Sequence, residues 1–232
     1  MNERILIAMT SHDRKGTTGE PTGAYLPEIV HPYEVFTEAG YTVEFASVTG
    51  GRVPLDGVDP GDAATTAFLN SPAARQLEAS LASAAVEPDR YAAIFFAGGH
   101  GAMWDLPSDA AFAAATARIY ERGGVVAAVC HGPAALVEVR LADGTFLVAG
   151  KQVGAFTNAE EREVKLDKVV PFLLADRLAE RGAHLRPAPN WQAQVVVSDR
   201  LVTGQNPASA TGVAQAVIRM LSHKQEVARE AR

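Results

Sequence analysis

The chain of 232 residues is 47% hydrophobic and 21% charged, an ordinary balance for a folded globular protein, and it is long enough to bury one sizeable core. Its formal charge of −6 argues against a nucleic-acid partner, which needs a basic face, and no apolar run approaches a membrane span. A single cysteine excludes an internal disulfide and points to a reducing, cytoplasmic setting.

Taken in chain order, residues 4–9 and 41–48 are rich in β-branched and aromatic side chains and read as strands. Residues 26–39 between them have helical spacing. Residues 50–62, dense in Gly, Asp and Pro, read as a surface loop. Residues 91–97 (YAAIFFA) form a continuous apolar run that stops at Gly98-Gly99. Residues 108–122 are Ala-rich, with Ser108 as the expected N-cap and Gly123-Gly124 as the stop. A strand at 125–129 leads into a short helix from Gly132. A further strand region is expected at 148–156, then a helix over 169–181 closed by Gly182. Residues 194–198 and 201–203 pair around a turn at Asp199-Arg200, and residues 208–221 form a helix with an apolar stripe. The charged stretch 223–232 reads as a tail that either extends the last helix or frays, on a single domain spanning 1–222.

Strands that are apolar on both faces and separated by helices imply an α/β protein, a mostly parallel sheet with helices on both sides. Ligand sites in such sheets lie beyond the carboxyl ends of the strands. Three polar clusters fall at such ends: residues 11–19, 98–101 and 130–132.

The only cysteine sits in the last of these, in GGVVAAVCHGPAAL, residues 123–136. Reactivity belongs to the thiolate, and a strand-to-helix turn places a side chain near free N–H groups that favour an anion. Gly132 is expected to let the backbone turn tightly, so Cys130-His131-Gly132 resembles a nucleophile elbow. A structural cysteine would behave as a small apolar residue. The adjacent His131 and the glycine turn favour the reactive reading. In FFAGGHGAMWDLP, Gly98, Gly99, His100 and Gly101 follow an apolar strand, and their backbone N–H groups suit an oxyanion hole, although a tight loop explains them as well. In TGAYLPEIVHPYEVF, Glu28 lies in the first turn of an apolar helix. His31, three residues on, would pair with Glu28 as a metal couple, but a third ligand is lacking and it reads as a packing histidine. In GAFTNAEEREV, Glu160 and Glu161 are first-turn acids, either of which is able to orient His131.

Together with RLVTGQNPASA, these segments resemble the ThiJ/PfpI superfamily, and within it the glyoxalase III branch, whose members are also described as heat-inducible holding chaperones. The matching residues run in order from Thr22 to Ala210. The resemblance implies a flavodoxin-like doubly wound sheet and a lyase that turns a small reactive aldehyde, methylglyoxal or glyoxal, into the hydroxy acid, D-lactate in the case of methylglyoxal. It requires neither glutathione nor a dissociable cofactor, and no metal is carried over. By position it assigns Cys130 as nucleophile, His131 as base, Glu28 as the buried acid touching the thiol, and Glu161 as the residue orienting the histidine. The loop of Gly98, Gly99 and His100 falls to substrate and oxyanion binding. Relatives commonly form homodimers. Rival implications are an intracellular cysteine peptidase or amidase, and a holding chaperone or oxidation sensor.

Overall fold

The structure of the protein, a computed structural model, describes residues 3–230. Its strands in chain order are β1 (Arg4–Met9), β2 (Ala24–Tyr25), β3 (Thr42–Ser47), β4 (Leu55–Asp56), β5 (Leu81–Ala82) and β6 (Tyr91–Phe96). They continue as β7 (Val125–Val129), β8 (Gln152–Val153), β9 (His184–Leu185), β10 (Val195–Ser198) and β11 (Leu201–Gly204). Seven of them form one sheet in the order β10-β11-β7-β6-β1-β3-β5. Every pairing in it is parallel except that of edge strand β10 with β11. The mostly parallel α/β sheet expected from the sequence is therefore the fold.

Alternation along β1 shows how one chain feeds two cores. Ile5, Ile7 and Met9 join Phe45, Phe95 and Val129 on one face, while Leu6 and Ala8 join Ile94, Phe96 and Val126 on the other. The first face is covered by α1 (Pro27–Glu38), through Ile29 and Phe36, and by Val213 and Val217 further along the chain. Beyond α1 come α2 (Ala63–Leu69), α3 (Ala102–Asp105) and α4 (Ala110–Glu121). Then follow α5 (Asn158–Glu163), α6 (Leu174–Glu180) and α7 (Ala210–Glu230). Phe112 and Ile119 of α4 and Leu174 and Leu178 of α6 close the second face. Each large side chain fully buried this way contributes about 1.5–3 kcal/mol, which explains why long apolar runs become the central strands.

Several local expectations are corrected. The α4 N-cap is Asp109, not Ser108, and its carboxylate accepts the Phe112 N–H at 2.6 Å. The helix expected over 169–181 is confined to Leu174–Glu180, because Pro171 disfavours helical backbone at Val170. Only Gln152–Val153 of residues 148–156 is strand, since a turn at Gly150 (φ 72°) interrupts the segment. Residues 50–62 are more than a surface loop: β4 pairs in parallel with β2, and Ala24 N–H donates to the Pro54 carbonyl at 2.8 Å. Of the two readings of the charged tail, extension of the last helix holds, since α7 continues to Glu230; residues 231–232 lie outside the described residues. No helix among the described residues is long and apolar enough to cross a membrane.

Candidate active site

Strands β6 and β7 end side by side, and the turns after them bring the FFAGGHG and AVCHG segments together. Cys130 carries φ 59°, the left-handed conformation that side chains avoid. Backbone hydrogen bonds hold it there: Cys130 N–H donates to Gly204 O at 3.0 Å, and its own carbonyl accepts Phe156 N–H at 2.9 Å. The elbow's strain therefore sits on the cysteine itself, and Gly132 plays a different part from the tight turn expected of it. A Cβ at Gly132 would lie 2.3 Å from the Phe96 carbonyl oxygen, so glycine is what lets the two turns pack.

Glu28 reaches the thiol from α1. The strip ahead of the helix is tied down on both sides, by Tyr25 N–H to Gly98 O at 3.0 Å and Leu26 N–H to Asp56 O at 2.9 Å. Glu28 is fully buried; its Oε2 accepts the Gly98 N–H at 2.7 Å, while Oε1 lacks a hydrogen-bond partner of full geometry. Burial pushes the carboxyl up to about 8, against the pull of the Gly98 N–H and the Cys130 thiol. The thiol is also raised well above its ordinary value, first by burial and then by the charge of Glu28, while the Gly99 and His131 N–H groups draw it down. This reverses the expectation that the elbow alone favours a thiolate. In a site only 4% exposed, desolvation outweighs two N–H groups, and the anion needs a proton partner.

His131 is buried with Nδ1 3.4 Å from Cys130 Sγ and Nε2 2.8 Å from Glu161 Oε2. A carboxylate only accepts, so neutral His131 keeps its proton on Nε2 and turns a lone pair toward sulfur. Glu161 also accepts from His100 Nε2, at 2.9 Å through Oε1. Burial opposes its charge, yet the hydrogen bonds from His100 and His131 prevail and hold Glu161 down to about 2. His131 falls to about 4, through burial first and then the neighbouring His100.

The two acids of α5 thus divide their work. Glu160 is the N3 partner of a capping box with Thr157, and its Oε1 accepts from Trp191 N–H, Gln205 Nε2 and Asn206 Nδ2. It does not touch His131. Gln205 and Asn206 of the VTGQNPAS segment are therefore ligands of a buried carboxylate, a role that motif reading left blank.

The structure gathers Cys130, His131, Glu28, Glu161, Gly98, Gly99 and His100 at one point. His100 is placed as a partner of Glu161, its ring 4.2 Å from that of His131, and its side chain is 17% exposed. His31 is not gathered there. It is half-exposed and faces Glu34 at 4.0 Å and Asp62 at 3.6 Å, so the packing role expected of it is corrected. His100, His131 and Glu161 offer three ligand atoms within 4.8 Å of one another, but each nitrogen already donates to the carboxylate. Sequence reasoning missed Trp191, whose ring meets the Phe156 ring at 5.7 Å while Phe156 lies 4.3 Å from His131.

Gly98 leaves no room for a side chain. A Cβ there would lie 2.5 Å from Glu28 Oε2, 2.7 Å from Val129 O and 2.8 Å from His131 N. Gly98→Ala is expected to cost about 2 kcal/mol or more in urea denaturation, because two of the three clashes are with backbone. It would also displace the Glu28 carboxyl from the thiol.

Comparison with known proteins places these features. Residues 22–220 match the DJ-1/PfpI family. A probable glutathione-independent glyoxalase of Schizosaccharomyces pombe is 34% identical, with 88% of this chain and 92% of that protein aligned. Among solved structures, the Rapid Encystment Protein 24 KDa of Francisella tularensis superposes with a TM-score of 0.92 at 38% identity, covering 94% of this chain and 99% of that one. Glyoxalase III of Candida albicans superposes with a TM-score of 0.87 at 31% identity, covering 94% and 97%.

Proposed function

The chain belongs to the DJ-1/PfpI family, and from that premise we propose that it is a glutathione-independent glyoxalase of the glyoxalase III type, converting methylglyoxal and water to D-lactate. The observation that carries this reading is the fully buried Glu28 carboxyl, anchored on the Gly98 N–H at 2.7 Å and interacting with the buried Cys130 thiol, where burial favours its protonated form. A peptidase elbow has no use for a protonated acid against its nucleophile. An isomerising enzyme needs one.

In this reading the thiol and carboxyl share a proton once the pair has lost its first one. Sulfur adds to the aldehyde carbon, and the carboxyl protonates the new alkoxide to give a hemithioacetal. The N–H groups of Gly99 and His131, which draw toward sulfur in the free protein, hold that oxygen. Glu28, now ionised, removes the C1 proton; an enediol forms and Glu28 returns the proton to C2, while the hydroxyl proton passes from O1 to O2. The former aldehyde carbon is thereby oxidised to a thioester and the ketone reduced to an alcohol. Water then attacks the thioester, with His131 Nδ1 taking its proton and delivering it to the departing sulfur. His131, held near 4, is too weak a base to keep the thiol ionised in the free protein, which favours Glu28 as the shuttle. Glu161 fixes the tautomer of His131 and balances its charge during hydrolysis. A cytoplasmic homodimer completes the proposal.

The test is formation of D-lactate from methylglyoxal by the purified protein in glutathione-free buffer, measured with a D-lactate-specific dehydrogenase. Stoichiometric D-lactate is expected. A strict requirement for glutathione, or no lactate at all, would overturn the assignment.

A further inference from the structure

Trp191 stands in a conformation that a tryptophan adopts only under constraint. Its φ of 64° is left-handed, where bulky side chains cost roughly 1 kcal/mol or more and glycine or asparagine would sit comfortably. The residue is 42% exposed, so core packing does not explain the choice. Three contacts hold it: Trp191 N–H to Glu160 Oε1 at 2.9 Å, indole Nε1–H to Glu163 Oε1 at 2.8 Å, and the edge-on meeting with Phe156. Glu163 is braced in turn by Asn190 Nδ2 at 2.7 Å.

These anchors all come from α5 or from the segment tied to it. Glu160 and Glu163 fix Trp191, and Glu161 between them fixes His131. One short helix thus sets an exposed aromatic face and the catalytic histidine in a common frame, with the Phe156 ring in contact with both. Strain held at an exposed ring points to a use for that ring.

We propose that Trp191 determines specificity at this site: its ring receives the substituent of a 2-oxoaldehyde, R–CO–CHO, and favours a flat, apolar R such as phenyl. The proposal rests on the glyoxalase reading for its chemistry, in which an aryl oxoaldehyde and water give the 2-hydroxy acid by the same internal redox exchange. An indole face held at fixed orientation is suited to stacking with an aryl group at little further entropic cost. Glyoxal, with hydrogen as R, has nothing to offer it.

Steady-state kinetics on glyoxal, methylglyoxal and phenylglyoxal would compare wild type with Trp191→Gly, which keeps the left-handed turn without a ring, and Trp191→Phe, which keeps a ring. In Trp191→Gly the loss of kcat/KM on phenylglyoxal is expected to exceed that on glyoxal about tenfold and to lie mainly in KM, with Trp191→Phe restoring most of it. An equal loss on all three substrates, carried by kcat, would overturn the proposal and leave Trp191 as a brace for α5. So would a change in oligomeric mass on substitution. A second readout does not depend on turnover. The chain has two tryptophans, so Trp104→Phe leaves Trp191 as the single emitter. Mandelate, the acid expected from phenylglyoxal, should then quench or shift its fluorescence where lactate does not. If wild type turns over none of the aldehydes, the glyoxalase reading falls, while the mandelate titration still decides the role of Trp191.

Discussion

Cys130→Ala is expected to lower D-lactate formation from methylglyoxal by at least about a thousandfold, to the level of the uncatalysed reaction. Every covalent step of the proposed cycle passes through this sulfur, and no other thiol exists in the chain. Cys130→Ser should fare little better, since a buried hydroxyl is far harder to ionise than a thiol. Stability is the control. The strained φ of 59° is inherited unchanged by alanine, so the melting temperature should stay within a few degrees of wild type. Near-wild-type lactate formation in a folded Cys130→Ala protein would remove the nucleophile from the mechanism altogether.

The adjacency of Cys130 and His131 made half of this site readable from one short stretch, because an apolar strand ending in Cys-His-Gly-Pro has a local physical meaning. Glu28 and Glu161 were different. They lie 102 and 31 positions from Cys130 in a chain whose sheet order brings distant segments together, so family resemblance was needed to set Glu28 against the thiol and to choose Glu161 over Glu160. Yet the choice between Glu160 and Glu161 had a local signal: Thr157 three residues before Glu160 spells a capping box, which reserves Glu160 for the helix end. The fold was legible for a related reason. Central parallel strands are apolar on both faces and stand out as runs, as in residues 91–97 and 125–129. Elements decided by tertiary contact were not legible. Residues 148–156 are apolar enough for a strand but are broken by the turn at Gly150, and the pairing of β4 with β2 is only two residues long. Trp191 left no trace in periodicity, since its conformation depends on two glutamates, Glu160 and Glu163, of a helix that lies about thirty residues earlier.

Glu28→Gln is expected to lower activity and to remove the pH dependence that Glu28 gives to stability. Glutamine keeps the shape and accepts the Gly98 N–H, but it can neither take the C1 proton nor return it, so kcat should fall about a hundredfold or more. The stability effect follows from the proton count. Folded Glu28 holds its proton up to about 8, whereas the unfolded chain releases it near 4.5. Between those values the folded state binds more protons, so wild-type stability falls as pH rises through the window. Glutamine has no such dependence. Its buried amide adds a cost of about 1–3 kcal/mol where it lacks an acceptor, and that cost is the same at every pH. Chemical denaturation at pH 5 and pH 8 should therefore show the difference between variant and wild type shifting toward the variant by a few kcal/mol. Wild-type kcat/KM should rise with pH over the same range and level off above about 8, as the thiol–carboxyl pair loses its first proton. In Glu28→Gln that limb should vanish or move upward, because the remaining thiol is buried and has no carboxyl to share with. A variant with the wild-type pH profile and the wild-type stability slope would mean that Glu28 is ionised throughout, and the shuttle would have to be assigned elsewhere.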